Sequence, residues 1–118
     1  MTEHPNMNLR LFFLVPLLLC ASGALNIVVS AVELAAGKTK AETMCQTCHG
    51  MDGKATIPLA ANLGGQQKGY LKLQLEAYRS GERRHEPMNI ISKMLSDDDI
   101  DQLAEWYASI KVTFELPK

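Results

Sequence analysis

The sequence predicts an all-α fold, and three observations support that prediction. Leu71, Leu75 and Tyr78 recur at the spacing of one helix face within residues 70–78. Residues 96–110 repeat this periodicity behind a serine and three aspartates, a composition typical of a helix start. No convincing run alternates polar and apolar residues, as a half-buried strand does. The chain should therefore consist of helices and loops.

The elements follow one another with clear boundaries. Residues 38–45 contain good helix formers, and the segment 50–53, Gly-Met-Asp-Gly, is typical of a turn. Residues 54–67 include Pro58 and two glycines, which predicts irregular structure. The helix over 70–78 gains a second buried edge from Leu73 and Ala77 and stops at Ser80-Gly81.

The following segment is predicted to be a polar loop over residues 83–87, because Pro87 resists helix formation. Ser96 then provides an N-cap for the last helix. Its apolar face combines aliphatic and aromatic side chains, namely Ile100, Leu103, Ala104, Tyr107 and Ile110. We expect Trp106 and Tyr107 to be core aromatics, and the three aspartates to serve capping and the helix dipole rather than docking.

The N-terminal residues 1–31 are predicted to be a secretory signal peptide. Arg10 precedes a long apolar run that ends at Cys20, and Val29-Ser30-Ala31 has the small-x-small pattern of a cleavage site. An uncleaved membrane anchor is an alternative, since the apolar character continues far enough to span a bilayer. A lipoprotein attached at Cys20 is less favoured, because Leu19 precedes that cysteine. The mature protein is expected in the periplasm, and on the membrane only if this segment is retained.

Length and charge narrow the class of protein. The 118 residues carry 12 Lys+Arg and 13 Asp+Glu, a formal net charge of −1. Without a basic excess, nucleic acid is not an expected partner. Residues 32–118 amount to one small domain, and domains of this size often need a disulfide, metal or cofactor to complete their core.

Cys45-Gln46-Thr47-Cys48-His49 carries the strongest chemical signal in the chain. Two cysteines three apart, followed directly by histidine, form the attachment sequence of c-type haem. The cysteine sulfurs can form thioethers with the two vinyl groups, and His49 can offer its imidazole to the iron. A zinc site would need further ligands, and a disulfide redox pair would be expected within a βαβ pattern that is not readable here.

From about Gly37 to Ile110 the chain resembles a small bacterial class I cytochrome c with one covalently attached haem. Three stretches carry the resemblance: Cys45 to Gly53, Asn62 to Leu75, and Gly81 to Ala108. It implies a few helices wrapped around the haem, with the first and last helices crossing near its edge. It also implies a methionine sulfur as the second axial ligand of the iron.

Met88 is the methionine that the resemblance selects. Related proteins with a Leu-Ser-Asp start to the last helix carry the ligand seven residues before that leucine, which here is Leu95. Met88 also follows Pro87 in the predicted loop, where the chain can turn the side chain inward. Met94 is the alternative and is expected to pack instead, whereas His85 lies among charged residues and is interpreted as a surface histidine.

The resemblance also indicates residues around the haem. The family usually places a proline twelve residues after the histidine, with its carbonyl accepting the imidazole N–H; this chain has Ala61 there, whose carbonyl can still accept the bond. Arg83 corresponds to an arginine that tends to lie near a haem propionate. Gln66 and Tyr70 are expected to support the same loop.

Methionine and histidine ligation leaves the iron no open site, so the function implied is that of a one-electron carrier rather than an enzyme. The leading hypothesis is a shuttle between periplasmic or membrane-bound partners, such as respiratory complexes, a dehydrogenase or a terminal reductase or oxidase. Two alternatives remain: a cytochrome subunit docked permanently to one oxidoreductase, and a ligand-binding or peroxidatic haem protein.

Overall fold

The structure, a computed structural model, describes the backbone of residues 15–118 and the side chains of residues 30–118. Residues 1–14 of the predicted signal peptide, which include Arg10, lie outside the described residues, and so does the Cys20 side chain. The chain divides into two compact units, Met1–Val32 and Glu33–Lys118. The second unit contains the fold described below.

Helices are the only regular elements in the described part of the chain, which confirms the predicted all-α class. They are α1 (Val15–Met44), α2 (Gln46–His49), α3 (Lys68–Ser80), α4 (Glu86–Ser92) and α5 (Asp97–Ser109). The buried core joins residues of α1, α3 and α5 with one residue that follows α4; it consists of Ala41, Leu71, Leu95, Ile100, Leu103, Ala104 and Tyr107.

The end of α1 approaches α5 closely at Gly37. A Cβ atom on Gly37 would lie 2.0 Å from the carbonyl oxygen of Gln102 and 3.1 Å from Cβ of Trp106. Ala41, one turn later, is fully buried. Small residues at these two positions let the two helices pack with their backbones almost in contact, and Trp106 is half-buried beside them.

Helix α3 presents one face to the core and ends where the sequence predicts. Leu71 is buried, and Gly81 ends the helix in the left-handed conformation, with φ of 85° and its N–H bonded to the Tyr78 carbonyl. Leu73 is 60% exposed, so the predicted buried edge through this residue is wrong. Leu73 lies on the face opposite the core, where solvent covers it.

Helix α4 was not expected from the sequence. Pro87 occupies the first turn of α4, where a missing N–H breaks no intrahelical bond, so it starts this helix rather than preventing it. Met88 therefore lies on a helix and not in a loop. Met94, which was expected to pack, is 62% exposed because it falls in the turn after α4, outside the core.

Helix α5 begins with a complete capping box. Ser96 Oγ accepts from the Asp99 N–H at 3.1 Å, and Asp99 Oδ2 accepts from the Ser96 N–H at 3.0 Å. Lys40 of α1 also reaches Asp99, with 2.8 Å between Nζ and Oδ1. The lysine ammonium, followed by the Ser96 N–H, holds the pKa of Asp99 below its ordinary value.

Ion pairs join the antiparallel surfaces of α3 and α5. Lys68 Nζ lies 2.9 Å from Glu105, and Lys72 Nζ lies 2.9 Å from Asp101. Hydrogen bonds to these carboxylates raise the pKa of both lysines. Pairs at such exposure add little to stability, so the apolar contacts beneath them hold the two helices together. Within the part of the chain that the structure describes, no helix is both long and apolar enough to cross a membrane.

Candidate haem site

The two motif cysteines lie at the junction between α1 and α2. The Cys45 N–H donates to Ala41 O at 3.0 Å, and Cys45 O accepts from the His49 N–H at 3.0 Å, so the motif begins as the first helix ends. Cys45 and Cys48 are half-buried and not joined in a disulfide. Burial, with a smaller contribution from Cys48, raises the pKa of the Cys45 thiol to about 11. Neither thiol is engaged in a disulfide, so both are available to form thioether bonds.

The His49 imidazole is held by one specific contact. Its Nδ1 lies 2.8 Å from the carbonyl oxygen of Ala61, twelve residues later. Since a carbonyl can only accept, Nδ1 carries the proton and Nε2 is left as the nitrogen with a free lone pair. A metal ligand with its other nitrogen bonded in this way has a fixed ring orientation and tautomer. The alanine in place of the usual proline therefore still provides the acceptor.

Residues 50–65 form a histidine-side loop whose two ends meet through glycines. The N–H groups of Leu63 and Gly64 both donate to Gly53 O, at 2.7 and 3.2 Å. Gly53 has φ of 72°, and a Cβ atom there would lie 2.1 Å from Gly64 N. Only glycine permits this backbone approach, which places Ala61 beneath His49.

Tyr107 of α5 closes this histidine-side loop at both ends. Its carbonyl accepts from the Gly65 N–H at 2.9 Å, and its hydroxyl donates to Gly50 O at 3.2 Å. The side chain is 2% exposed, and this burial raises the pKa of the phenol, which keeps the hydroxyl protonated as a donor. The last helix thus fixes the loop that positions the imidazole.

Two adjoining cavities bring the predicted site residues together. The first, of about 170 Å³, is lined by seven of the predicted residues, namely Cys45, His49, Ala61, Gln66, Tyr70, Arg83 and Met88. The second, of about 180 Å³, is lined by the eighth, Cys48, and by Cys45, His49, Ala61 and Met88 again. Because the two cavities share four lining residues, they are neighbouring parts of one crevice.

The opposite wall of this crevice comes from a methionine-side segment, residues 81–96. Met88 is half-buried in the first half of α4 and lines both cavities. His85 precedes α4 and lines only the second cavity, while Met94 lines neither of the two. Of the two methionines considered from the sequence, the structure thus brings Met88 alone to the crevice.

Arg83 is fixed at the mouth of the first cavity by three contacts with α3. Its N–H donates to Ala77 O at 3.0 Å, its guanidinium lies over the Tyr78 ring at 4.7 Å from the centroid, and Nη1 bonds to Gln74 Oε1. Such stacking restrains the side chain and leaves other guanidinium donors available to an anion. This arrangement is compatible with binding a carboxylate at the crevice.

The residues present fit a covalently attached haem. Two unpaired thiols, an imidazole with one nitrogen already bonded, and a thioether all line a crevice whose other walls are largely apolar. Cysteine thiols that can form thioethers with the haem vinyl groups, together with an imidazole and a methionine sulfur for the iron, are the groups that hold haem in proteins of this chemistry. No cluster of three or more His, Cys, Asp or Glu side chains suited to another metal occurs among the described residues.

Sequence reasoning missed several walls of the crevice. Ile57, Leu59 and Ile91 line the second cavity, although they fall in segments without a helical pattern. Leu103, Ala104 and Tyr107 line the first cavity, although their spacing predicted only a helix face in the core. The periodicity of α5 revealed the burial of these residues but could not tell a protein core from a cofactor crevice.

Comparison with known proteins gives a consistent result. The family model described as cytochrome c matches residues 34–111. Cytochrome c-554(548) of Halomonas halodenitrificans is 40% identical over 82 residues, which cover 67% of this chain and 98% of that protein.

Two longer proteins are also similar to this chain. Cytochrome c4 of Pseudomonas aeruginosa is 34% identical over 96 residues, covering 81% of this chain and 47% of that protein. The thiosulfate dehydrogenase electron acceptor of Stutzerimonas stutzeri is 36% identical over 69 residues, covering 56% of this chain and 32% of that protein. The match therefore spans nearly the whole of the Halomonas protein but half or less of the other two.

Proposed function

We propose which residues hold the haem of this chain, which belongs to the cytochrome c family. In this proposal Cys45 and Cys48 bind the haem covalently, and His49 and Met88 are the axial ligands of its iron. Membership of the family makes the protein a haem-based electron carrier with one covalently bound haem c. When bound, the haem supplies an iron that alternates between two oxidation states. The residue assignments are supported by the crevice that these four side chains line together.

The chain's own residues perform distinct tasks in this scheme. Ala61 O keeps the proton on His49 Nδ1, so Nε2 stays available to the iron. Met88 would offer its sulfur to the iron as the second ligand, which would raise the reduction potential and leave no coordination site for oxygen or peroxide. Gln66, Tyr70 and Arg83 border the first cavity, and this position supports our proposal that Arg83 pairs with a haem carboxylate.

Electron transfer to and from other proteins follows from this closed coordination. Redox proteins are the partners implied by the family, and the Stutzerimonas relative is by its name the electron acceptor of a dehydrogenase. We favour a shuttle that meets its partners through small transient interfaces. A subunit docked permanently to one oxidoreductase is the alternative, and co-purification at native expression levels separates the two.

The observation that carries the ligand assignment is the contrast between Met88 and Met94. Met88 lines both parts of the crevice, whereas Met94 is 62% exposed. We expect Met88→Ala to abolish the Met–iron charge-transfer band of the oxidised protein, lower the reduction potential and admit carbon monoxide to the reduced protein. Met94→Ala is the matched control, and we expect it to leave all three unchanged.

The opposite result would reassign the ligand. If Met94→Ala abolishes the band and Met88→Ala spares it, Met94 is the ligand. The methionine-side segment would then pack against the haem in a different position from the one that it has in the structure. If the unaltered reduced protein binds carbon monoxide readily, the coordination is open and a ligand-binding or peroxidatic function takes precedence.

We further propose that residues 1–31 direct export and are removed after Ala31, which places the carrier in the periplasm. The intact mass of the purified protein is expected to equal residues 32–118 plus one haem that survives acid extraction. A membrane-bound product retaining residues 11–19 would instead support an anchor. A haem lost on acid extraction would contradict attachment through Cys45 and Cys48.

A further inference from the structure

Asn89, which directly follows Met88, uses its side chain to join three neighbouring segments. Nδ2 donates to Tyr78 O at 2.6 Å and to Arg83 O at 2.8 Å, while Oδ1 accepts from the His85 N–H at 2.7 Å. Two of these partners can only accept and the third can only donate, so the orientation of the amide is fixed by its surroundings. Both amide hydrogens and the amide oxygen are engaged.

These bonds occur at the start of α4, where the first backbone N–H groups have no partner within the helix. His85 is the N-cap of α4, and its N–H has no intrahelical acceptor, so it depends on Asn89 Oδ1 for its hydrogen bond. The Asn89 N–H in turn donates to His85 O at 2.8 Å, which completes a reciprocal pair. Through Nδ2 the same side chain fastens this helix start to the last turn of α3 and to the loop that carries Arg83.

The position of Met88 depends on that fastening. Helix α4 has only seven residues, too few to be stable without contacts to the rest of the fold. We infer that Asn89 is a positioning residue that holds Met88 against the crevice, and this inference rests on the proposed role of Met88 as an axial ligand. Asn89 acts through the backbone of α4, since it lines neither of the two cavities that form the crevice.

Cyanide binding to the oxidised holoprotein tests this role, because cyanide can occupy the sixth position only while Met88 is away. The apparent affinity then measures the fraction of molecules in which Met88 has moved off. We expect Asn89→Ala to tighten cyanide binding by about tenfold, the factor that a net loss of one or two hydrogen bonds would give.

Two further variants separate positioning from general destabilisation. Ile100→Val trims a fully buried side chain of α5 that lines neither cavity, so it should lower the unfolding midpoint while cyanide affinity stays unchanged. Asn89→Asp retains the acceptor for His85 but loses both donors, so it should behave like Asn89→Ala. Unaltered cyanide binding in Asn89→Asp, or tighter binding in Ile100→Val, would overturn the inference.

Combining Asn89→Ala with Met88→Ala separates a failure of the proposed ligand Met88 from a failure of the proposed role of Asn89. If Met88→Ala leaves the charge-transfer band intact, the proposed ligand is wrong and the role of Asn89 falls with it. If Met88→Ala removes the band, adding Asn89→Ala should not tighten cyanide binding further, because no sulfur remains to be held. A further tightening in the double variant, or no effect of Asn89→Ala alone, would reject Asn89 while sparing Met88.

Discussion

The two walls of the haem crevice are held in place by different kinds of bond. The histidine-side loop is closed mainly by backbone bonds of its own, as at Gly53 O, which accepts from Leu63 and Gly64. It is joined to α5 by one backbone bond, from the Gly65 N–H to Tyr107 O, and by one side-chain bond, from the Tyr107 hydroxyl to Gly50 O. The methionine-side segment is fastened to α3 chiefly through two side chains. Asn89 of the segment bonds to Tyr78 O of α3, and Arg79 of α3 bonds to Leu95 O near the C-terminal end of the segment. Removing the Asn89 side chain would eliminate three bonds of the second arrangement, whereas removing the Tyr107 hydroxyl would eliminate one bond of the first.

This difference predicts that substitutions disturb the two proposed axial ligands, His49 and Met88, to unequal extents. Backbone bonds persist through most substitutions, so the His49 environment depends mainly on whether the glycine contacts are preserved. Bonds from side chains are lost one by one, so the Met88 wall should loosen first.

The largest loss of stability is expected from placing a methyl group at Gly53, where the two ends of the histidine-side loop meet. In Gly53→Ala the new Cβ would lie 2.1 Å from Gly64 N in a left-handed conformation, and we expect a loss of about 3 kcal/mol or more. Gly81→Ala is the matched control: φ is also positive, but nothing lies within 4 Å of the new Cβ, so the loss should be about 1 kcal/mol.

Guanidinium unfolding of the two holoproteins, followed by far-ultraviolet circular dichroism, provides the measurement. Equal losses in Gly53→Ala and Gly81→Ala would show that backbone conformation alone sets the cost. The close packing of the histidine-side loop would then contribute nothing, and the contrast between the two walls would fail.

A smaller loss of stability is expected from a substitution that weakens the C-terminal end of the methionine-side segment. Arg79 Nη1 donates to Leu95 O at 3.0 Å, and Nη2 donates to Asp97 Oδ1 at 2.6 Å. Lysine keeps the charge but cannot span both acceptors, so Arg79→Lys should cost about 1 kcal/mol. Amide hydrogen exchange should accelerate within residues 86–95 and remain slow within residues 50–65.

Arg84→Lys serves as the control for Arg79→Lys, since Arg84 is exposed and the described structure shows no ion pair for it. We expect its exchange pattern to match that of the unaltered protein. Accelerated exchange at the histidine-side loop in Arg79→Lys would argue that the two walls open as a single unit.

The smallest effect is expected at Asp99, where the methionine-side segment passes into α5. The Asp99 pKa is lowered from 3.8, chiefly by the hydrogen bond from Lys40. A carboxyl with a depressed folded-state pKa stabilises the fold above its unfolded pKa, and this contribution is lost as the pH falls below about 3.8. Asp99→Asn should therefore cost about 0.5–1 kcal/mol at neutral pH and progressively less in acid.

Asp98→Asn controls for the helix dipole, because Asp98 lies in the same first turn and the described structure shows no ion pair for it. Thermal unfolding from pH 7 to pH 3 would compare the two variants. A difference between Asp99→Asn and the unaltered protein that stays constant across this range would exclude the carboxylate charge as its cause.

The sequence predicted the histidine side better than the methionine side, for a physical reason. The proposed ligand His49 and both cysteines are neighbours along the chain, so the haem-attachment pattern could be recognised from their spacing alone. Helices α3 and α5 were predicted because periodicity and caps are local signals, and Tyr107 was correctly expected in the core. These features depend on contacts within a few residues.

Helix α4 could not be predicted in the same way. Its seven residues carry too little periodicity, and Pro87 reads as a helix breaker unless the helix start is already known. The exposure of Leu73 and Met94 likewise depends on which faces the other helices cover. The role of Asn89 could not be predicted from the sequence, because its three bonding partners come close to it only through the turn between α3 and α4.

The two bonds of Tyr107 also bear on the order in which the chain folds. The histidine-side loop lies next to the attachment motif in sequence, yet its ends are closed by a residue that comes 42 and 57 positions after Gly65 and Gly50. Contacts between such distant residues form only after the entropy of closing a long loop has been overcome. The loop beside the first-synthesised part of the site therefore becomes ordered late, when the last helix docks.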